Sequence, residues 1–173
     1  MWIDADAVIT NPAQRLEDLV DDNVDFLVAQ DKPPRPLNTG VFLLRNSPSV
    51  LDMLRRAYAK VRYTFHPMWE QPALSDALRE CFDTVRTRIV PRHLLNAFAC
   101  ENEKGDFILH FAGLTPEQKL AGVKKAIAQM RAQPPCMFAA SDGEKGEDRG
   151  RYPSIKVLRR FKNHPREAGI GGS

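Results

Sequence analysis

Three short apolar runs, at residues 26–28, 41–44 and 107–111, place the strongest constraint on what this sequence can fold into. The first is a small strand candidate, and the other two suit strands that are buried on both faces. Further strands are predicted at 1–10, where two carboxylates interrupt the apolar pattern, and at 85–91. Because helical segments separate these strands, the sequence predicts an α/β domain.

The helices are predicted from the spacing of apolar residues and from the residues that begin helices. Ser47 can cap a helix whose first position is Pro48, and Thr115 can form a capping box with Gln118. The predicted helices cover about residues 16–20, 48–61, 69–82 and 116–133.

The length of 173 residues allows one domain and a tail. Residues 141–173 are rich in glycine and charge, and their eight Lys/Arg against five Asp/Glu account for the whole formal charge of +3. We therefore predict a neutral domain over residues 1–140 and a mobile basic tail over 141–173. A neutral domain has no general field for attracting nucleic acid, so no nucleic-acid partner is expected.

Neither a membrane segment nor a cysteine framework is expected. No run approaches the ~20 apolar residues of a membrane helix, and the first residues lack the pattern of a secretory signal. The three cysteines, Cys81, Cys100 and Cys136, are odd in number and widely spaced. They allow one disulfide and form no metal-binding pair, and buried free thiols are the favoured interpretation.

Two carboxylates, Asp4 and Asp6, interrupt the first predicted strand. Alternation along an extended chain places them on the same side, where their negative charges repel each other unless a cation lies near. Hard divalent ions such as Mg²⁺ or Mn²⁺ prefer carboxylate oxygens and can offset the charge of a diphosphate leaving group. Taken alone, the pair also fits an exposed strand end with two solvated acids.

His110 is the polar residue within the apolar run 107–111. A neutral imidazole in such a strand can bind a metal if its second nitrogen has a hydrogen-bond partner. A hydrogen-bonded core histidine is the alternative, and on this residue alone it is the favoured one.

Two further polar groups accompany a buried strand and the start of a helix. Asn38, Thr39 and Gly40 head the strand, and Glu70 and Gln71 lie at the start of the helix. They can be ordinary turn, dipole-stabilising and surface residues. In a functional interpretation, Asn38 and Gln71 hydrogen-bond to sugar hydroxyls, and Glu70 orients or stabilises a reacting centre.

Four motifs occur in one order along the chain: Trp-Ile-Asp-Ala-Asp-Ala at 2–7, Leu-Asn-Thr-Gly-Val-Phe-Leu-Leu-Arg-Asn at 37–46, Trp-Glu-Gln-Pro-Ala-Leu at 69–74 and Gly-Asp-Phe-Ile-Leu-His-Phe-Ala-Gly at 105–113. Over about residues 1–130 the set resembles glycosyltransferase family 34, which includes galactosyl-, mannosyl- and xylosyltransferases. The second and fourth motifs are the most specific. The resemblance implies a GT-A fold, a Rossmann-like α/β domain, here its C-terminal portion.

The same resemblance implies an activity and a set of site residues. A sugar would move from a nucleotide-diphosphate donor, expected to be a UDP-sugar, to a hydroxyl of a glycan, with retention at the anomeric carbon. Mn²⁺, or Mg²⁺, would be bound by Asp4, Asp6 and His110, and Asp4 would reach either the metal or the ribose. The residues of the donor and acceptor cleft would be Asn38, Thr39, Gly40 and Gly113. The catalytic residues, beside the transferred sugar, would be Glu70 and Gln71.

Retention is compatible with two mechanisms. A double displacement needs a nucleophile on the far face of the sugar, for which Glu70 is a candidate. A same-face, ion-pair-like substitution is favoured here, with Glu70 and Gln71 as stabilisers.

The sequence departs from the family pattern in two respects. Some family members carry a lysine two residues after the glycine of the fourth motif, where it can meet phosphate. Thr115 occupies that position here, and Lys119 could substitute for the lysine only from the next helical turn. The family's Asp-x-Asp motif also follows a nucleotide-binding segment and a membrane anchor, so the N-terminal part of the domain is expected to lie outside this sequence. A Golgi location is implied by the family alone.

Three alternatives stay open at this point. One is another GT-A family that transfers a different sugar and keeps the roles of Asp4 and Asp6. The second is a truncated or degenerate glycosyltransferase that binds a partner or a glycan without turnover. The third is nucleic-acid binding through the basic tail, which lacks a docking motif.

Overall fold

The predicted apolar runs form the centres of two sheets. The structure, a computed structural model, describes residues 1–101, 103 and 105–132. Its strands are β1 (Trp2–Ile3), β2 (Ala7–Ile9), β3 (Phe26–Ala29), β4 (Asn38–Leu44), β5 (Thr87–Val90), β6 (Ala97–Phe98) and β7 (Ile108–His110). A four-stranded sheet has the order β1-β4-β3-β5, and a three-stranded sheet has the order β2-β7-β6. The pairs β3–β5 and β6–β7 are parallel, and the other pairs are antiparallel.

Two of the helices begin where the capping residues predict. They are α1 (Pro48–Tyr58), α2 (Gln71–Glu80), α3 (Arg92–Leu95) and α4 (Pro116–Ala132), with 3₁₀ turns at Leu16–Leu19, Val61–Tyr63 and Ala99–Glu101. Ser47 Oγ accepts a hydrogen bond from the Val50 amide at the start of α1. Thr115 and Gln118 form the reciprocal capping box of α4, with bonds of 3.0 and 3.3 Å. The α/β prediction is confirmed.

Apolar residues on alternate sides of the strands build cores on both faces of the larger sheet. Phe26 lies with Met53 in the core against α1 and α2. Val41 lies with Ile108 in the core on the opposite face, which joins the two sheets. The smaller sheet is covered in turn by α4, through Ala126. The larger sheet is therefore packed between two helices and the smaller sheet, and the smaller sheet is also packed against α4. This packing holds the strand ends in fixed positions.

The prediction of one strand over residues 1–10 is wrong. β1 pairs with β4 in the larger sheet, and β2 pairs with β7 in the smaller one. A turn at residues 4–6 joins them, closed by a 3.0 Å hydrogen bond from the Ala7 amide to the Asp4 carbonyl. The carboxylates of Asp4 and Asp6 therefore converge through a turn and not through strand alternation.

Other differences lie in the second half of the chain. α2 begins at Gln71 and not at Trp69, because the Trp69 backbone has a left-handed φ of 52°. The short elements α3 and β6 were not expected. Cys81 is a buried free thiol as predicted, whereas Cys100 is free and exposed. Cys136 and the predicted tail lie outside the described residues. Within residues 1–132, as far as they are described, no helix has the length and apolarity to cross a membrane.

Candidate active site

All of the residues that the sequence predicts for the site line one cleft. Its volume is about 1090 Å³, which is sufficient for a ligand of nucleotide-sugar size. The predicted residues along its wall are Asp4, Asp6, Asn38, Thr39, Gly40, Glu70, Gln71, His110 and Gly113. They come from the turn at 4–6, from β4, from the start of α2 and from the end of β7, so the cleft forms where the two sheets meet.

Three ligand-type groups converge in this cleft. His110 Nε2 lies 3.2 Å from Asp6 Oδ1 and 3.7 Å from Asp4 Oδ2. One ligand atom from each residue lies within 4.8 Å of the others. Asp4 is held by a 2.8 Å hydrogen bond from the Trp2 indole to its other oxygen, Oδ1. Two carboxylates and an imidazole nitrogen that face one another need a cation, or a proton on Nε2, between them.

A chain of buried hydrogen bonds determines which nitrogen of His110 is free. Asn38 Oδ1 accepts from the Gly40 amide at 2.9 Å and from Asn96 Nδ2 at 2.7 Å. The remaining atom of the Asn96 amide, Oδ1, lies 3.1 Å from His110 Nδ1. Because a carbonyl oxygen only accepts, Nδ1 carries the proton that it donates to Asn96. Nε2 is therefore the ring nitrogen that faces Asp4 and Asp6, and its lone pair is the one that a metal bound there would use.

Asn96 is a site residue that sequence reasoning missed. It is fully buried, between α3 and β6. A single asparagine between Leu95 and Ala97, in a segment with no clear helical or strand period, carries little signal. The polarity of Asn96 within an apolar run was the one available indication.

Gly40 provides the space in which the His110 ring lies. A Cβ atom at position 40 would approach the imidazole to 2.1 Å at Cε1 and 2.4 Å at Nδ1. No real side chain reaches such distances, so the ring position requires glycine at this point of β4. Gly113, which follows β7, has a φ of 74° and directs the chain toward α4.

Lys119, at the end of the first turn of α4, places a positive charge beside Asp6. Its ammonium nitrogen lies 2.7 Å from Asp6 Oδ2 and lines the cleft. Burial raises the pKa of Asp6, but the Lys119 hydrogen bond and the charges of His110 and Lys119 outweigh it, so the pKa lies below its ordinary value. Asp6 is therefore ionised at neutral pH and available to a cation.

The Glu70 side of the cleft is organised by a second polar network. Thr39 Oγ1 donates to Glu70 Oε1 at 2.6 Å, while Glu70 itself is exposed to the cleft. Gln71 is buried and uses both ends of its amide internally. Its Oε1 accepts from the Thr39 amide at 3.2 Å, and its Nε2 donates to Asp31 at 3.0 Å. Glu70 is thus oriented toward the cleft, and Gln71 ties α2 to β4.

The fold and the site together define a class of protein: a mixed α/β domain whose central cleft holds a candidate divalent-metal centre. The donor set of two carboxylates and one imidazole fits a hard or borderline divalent ion. The orientation of Nε2 toward both carboxylates and the ionised Asp6 support that fit. Such a cleft is suited to anionic ligands that a cation can bridge to the protein, of which a diphosphate is one.

Comparisons with known proteins identify the family. The family model of the nucleotide-diphospho-sugar transferases matches residues 1–120 of this sequence. The chain therefore belongs to that family. A solved structure, of a glycosyltransferase involved in the glycosylation of the major capsid of PBCV-1, is similar with a TM-score of 0.54 at 16% identity. The match covers 73% of this chain and 65% of that one, and it confirms the expected fold. Comparison with the curated proteins gives no match.

Proposed function

We propose that this chain is a metal-dependent, retaining glycosyltransferase of the family 34 type, which moves a hexose or pentose from a UDP-sugar to a glycan hydroxyl. The observation that carries the proposal is the convergence of Asp4, Asp6 and His110 within 4.8 Å in the cleft of a nucleotide-diphospho-sugar transferase. A Golgi location goes with the family 34 assignment.

The metal-binding residues in this proposal are Asp4, Asp6 and His110, with Mn²⁺ as the ion and Mg²⁺ as the alternative. A divalent cation bound there supplies positive charge that offsets the negative charge of the departing diphosphate. Trp2 orients Asp4 for this role, and Asn96 orients His110. Asp6 stays ionised because Lys119 lies beside it.

Lys119 is the residue that we assign to the diphosphate itself. Thr115 is uncharged and occupies the position at which some family members carry a lysine. The ammonium group of Lys119 lies 2.7 Å from Asp6, one of the three proposed metal ligands, and it lines the cleft. A phosphate bound beside Asp6 would accept a charge-assisted hydrogen bond from it.

Glu70 is the residue that we assign to the transferred sugar. One of its oxygens accepts from Thr39, and its carboxylate lies at the cleft surface. A fixed negative charge there stabilises the positive charge that develops at the anomeric carbon as the bond to the diphosphate breaks. This supports the same-face substitution. Gln71 and Asn38 act through their internal hydrogen bonds, by holding Thr39, Gly40 and Asn96 in position.

The deciding experiment measures Mn²⁺-dependent hydrolysis of UDP-galactose, UDP-glucose, UDP-xylose and GDP-mannose, together with UDP binding by calorimetry. Asp6→Asn and His110→Ala should each lower hydrolysis at least ~100-fold, because a metal's stabilisation of charge is worth several kcal/mol. Asp22→Asn and His93→Ala, which change exposed residues outside the cleft, are the matched controls.

The possible results test the metal site, the donor and the alternative of a degenerate binding module separately. Activity unchanged in both site variants would overturn the metal assignment. Binding of UDP with Mn²⁺ but no hydrolysis of any donor would favour a degenerate binding module. Failure to bind UDP in either condition would overturn the donor assignment.

A further inference from the structure

Trp69 is an exposed aromatic residue at the edge of the cleft. Its side chain lines the cleft, yet 80% of its surface is accessible to solvent. Among the described residues, its indole has no hydrogen-bond or ring-stacking partner. A large apolar ring in this state contributes little to the fold, and at the edge of a cleft it is accessible to a ligand.

The backbone at Trp69 is held in an unfavourable conformation. Its φ of 52° lies in the left-handed region, which bulky residues rarely adopt. Hydrogen bonds on either side fix the turn, from the Trp69 amide to the His66 carbonyl at 2.9 Å and from the Gln71 amide to the Met68 carbonyl at 3.2 Å. Strain of this kind is concentrated at ligand-binding positions in proteins.

The position of Trp69 relative to Glu70 indicates which ligand it meets. Glu70 follows directly in sequence, and its carboxylate is the group assigned to the transferred sugar. An acceptor must bring its hydroxyl next to that sugar. An indole adjacent to Glu70 therefore lies where the acceptor would be bound.

The surroundings of Trp69 favour an uncharged ligand. Pro67 and Met68 line the cleft beside it. Arg35, which lines the same cleft and contacts Met68 at 3.6 Å, is already paired with Asp31 at 2.7 Å. An aromatic face flanked by apolar groups matches the C–H face of a pyranose ring and gives a free anion no partner.

We propose that Trp69 is the platform of an acceptor subsite, on which the ring of a neutral sugar stacks. This inference rests on the proposed glycosyltransferase function. It adds to it the chemical class of the acceptor and the residue that binds it.

The test compares the full chain with Trp69→Gly and Trp69→Phe. Glycine adopts a positive φ without strain, so Trp69→Gly removes the ring without lowering the melting temperature. Each protein, with Mn²⁺ and UDP present, is examined by saturation-transfer NMR against cellobiose, mannobiose, galactobiose and xylobiose. We expect the wild type to bind at least one of these sugars. Affinity should fall about tenfold in Trp69→Gly and be largely kept in Trp69→Phe.

The outcomes distinguish this inference from the proposed function. Equal binding by wild type and Trp69→Gly, or no binding of any of the four sugars by the wild type, would overturn the subsite. UDP binding, measured on the same samples, reports on the donor site separately. UDP binding without sugar binding therefore counts against the platform alone, whereas loss of both counts against the glycosyltransferase assignment.

Discussion

The imidazole of His110 occupies the space that a side chain at Gly40 would need, since a Cβ atom there would lie 2.1 Å from its Cε1. The two residues come from interior strands of different sheets, Gly40 from β4 and His110 from β7. The absence of a side chain in β4 thus allows the histidine of β7 to reach the carboxylates of the turn at 4–6.

Gly40→Ala should displace the His110 ring and weaken metal binding while the protein still folds. We expect Mn²⁺ affinity, measured by electron paramagnetic resonance of the free ion, to fall roughly 10–100-fold, the usual effect of disturbing a group that orients a ligand. Gly122→Ala is the matched control, because its methyl would also meet an aromatic ring, that of Phe111, at 2.4 Å. It should lower the melting temperature and change Mn²⁺ affinity much less. Equal affinities for Gly40→Ala and the wild type would contradict this account of the site.

Asn96→Ala should release His110 from its single tautomer. Without the amide, the Nδ1 proton loses its acceptor and Asn38 loses a donor. With Mg²⁺ present, nitrogen-15 NMR of the imidazole should show a proton on Nδ1 alone in the wild type and a mixture of both tautomers in the variant. Stability should fall by about 1–3 kcal/mol, the usual cost of leaving buried polar groups unpaired. A variant with an unchanged tautomer would show that Asn96 does not orient the ring.

Lys119→Met should separate metal binding from nucleotide binding. Without the ammonium that competes for Asp6, Mn²⁺ should bind the nucleotide-free protein more tightly, whereas UDP should bind the Mn²⁺-loaded protein more weakly, each by about tenfold. Lys124→Met, an exposed position on the same helix, is the control and should change neither affinity. Calorimetry with Mn²⁺ alone and then with UDP measures both. A change of the same sign in both titrations would contradict the two roles.

Asp25 should make the stability of the domain depend on pH in the acid range. It is buried beside Arg86, whose guanidinium binds it at 2.8 and 2.9 Å. These hydrogen bonds lower the pKa of Asp25 from 3.8 to about 2, against the opposing effect of burial. Because the folded pKa lies below the unfolded one, the ionised carboxylate stabilises the fold by about 2 kcal/mol above pH ~4. That stabilisation is lost as the pH falls toward ~2.

Urea unfolding at several pH values tests this prediction. The stability difference between wild type and Asp25→Asn should be constant from neutral pH to pH ~4 and should narrow between pH ~4 and ~2. Asp22→Asn, an exposed neighbour, should follow the wild-type pH dependence. A stability difference that does not vary with pH would contradict the prediction.

Much of this architecture could be predicted because its signals are local. The run 107–111 is apolar enough to specify a buried strand, and Ser47 and Thr115 cap helices through their own side chains. The site residues were predicted from their polarity in apolar surroundings and from the family motifs. The structure places all of them on one cleft.

What could not be predicted depends on tertiary contacts. The turn at residues 4–6 forms because β1 and β2 pair with strands of different sheets, which are far away in sequence. The role of Asn96 and the contact between Lys119 and Asp6 arise only when β6, β7 and α4 are packed together. The left-handed backbone of Trp69 moves the start of α2 two residues later than predicted, and tryptophan is not a residue type that predicts such a backbone.

The turn at residues 4–6 has a mechanical consequence for the whole domain. The Asp4 amide is hydrogen-bonded to Gly40 in the larger sheet, at 2.8 Å, and the Asp6 carbonyl accepts from Phe111 beside the smaller sheet, at 3.0 Å. A cation bound by Asp4, Asp6 and His110 would therefore cross-link the two sheets. Ligand binding to the folded state also raises its stability. Backbone amides of β4 and β7 should then exchange with solvent more slowly, and to the same extent, when the metal is bound.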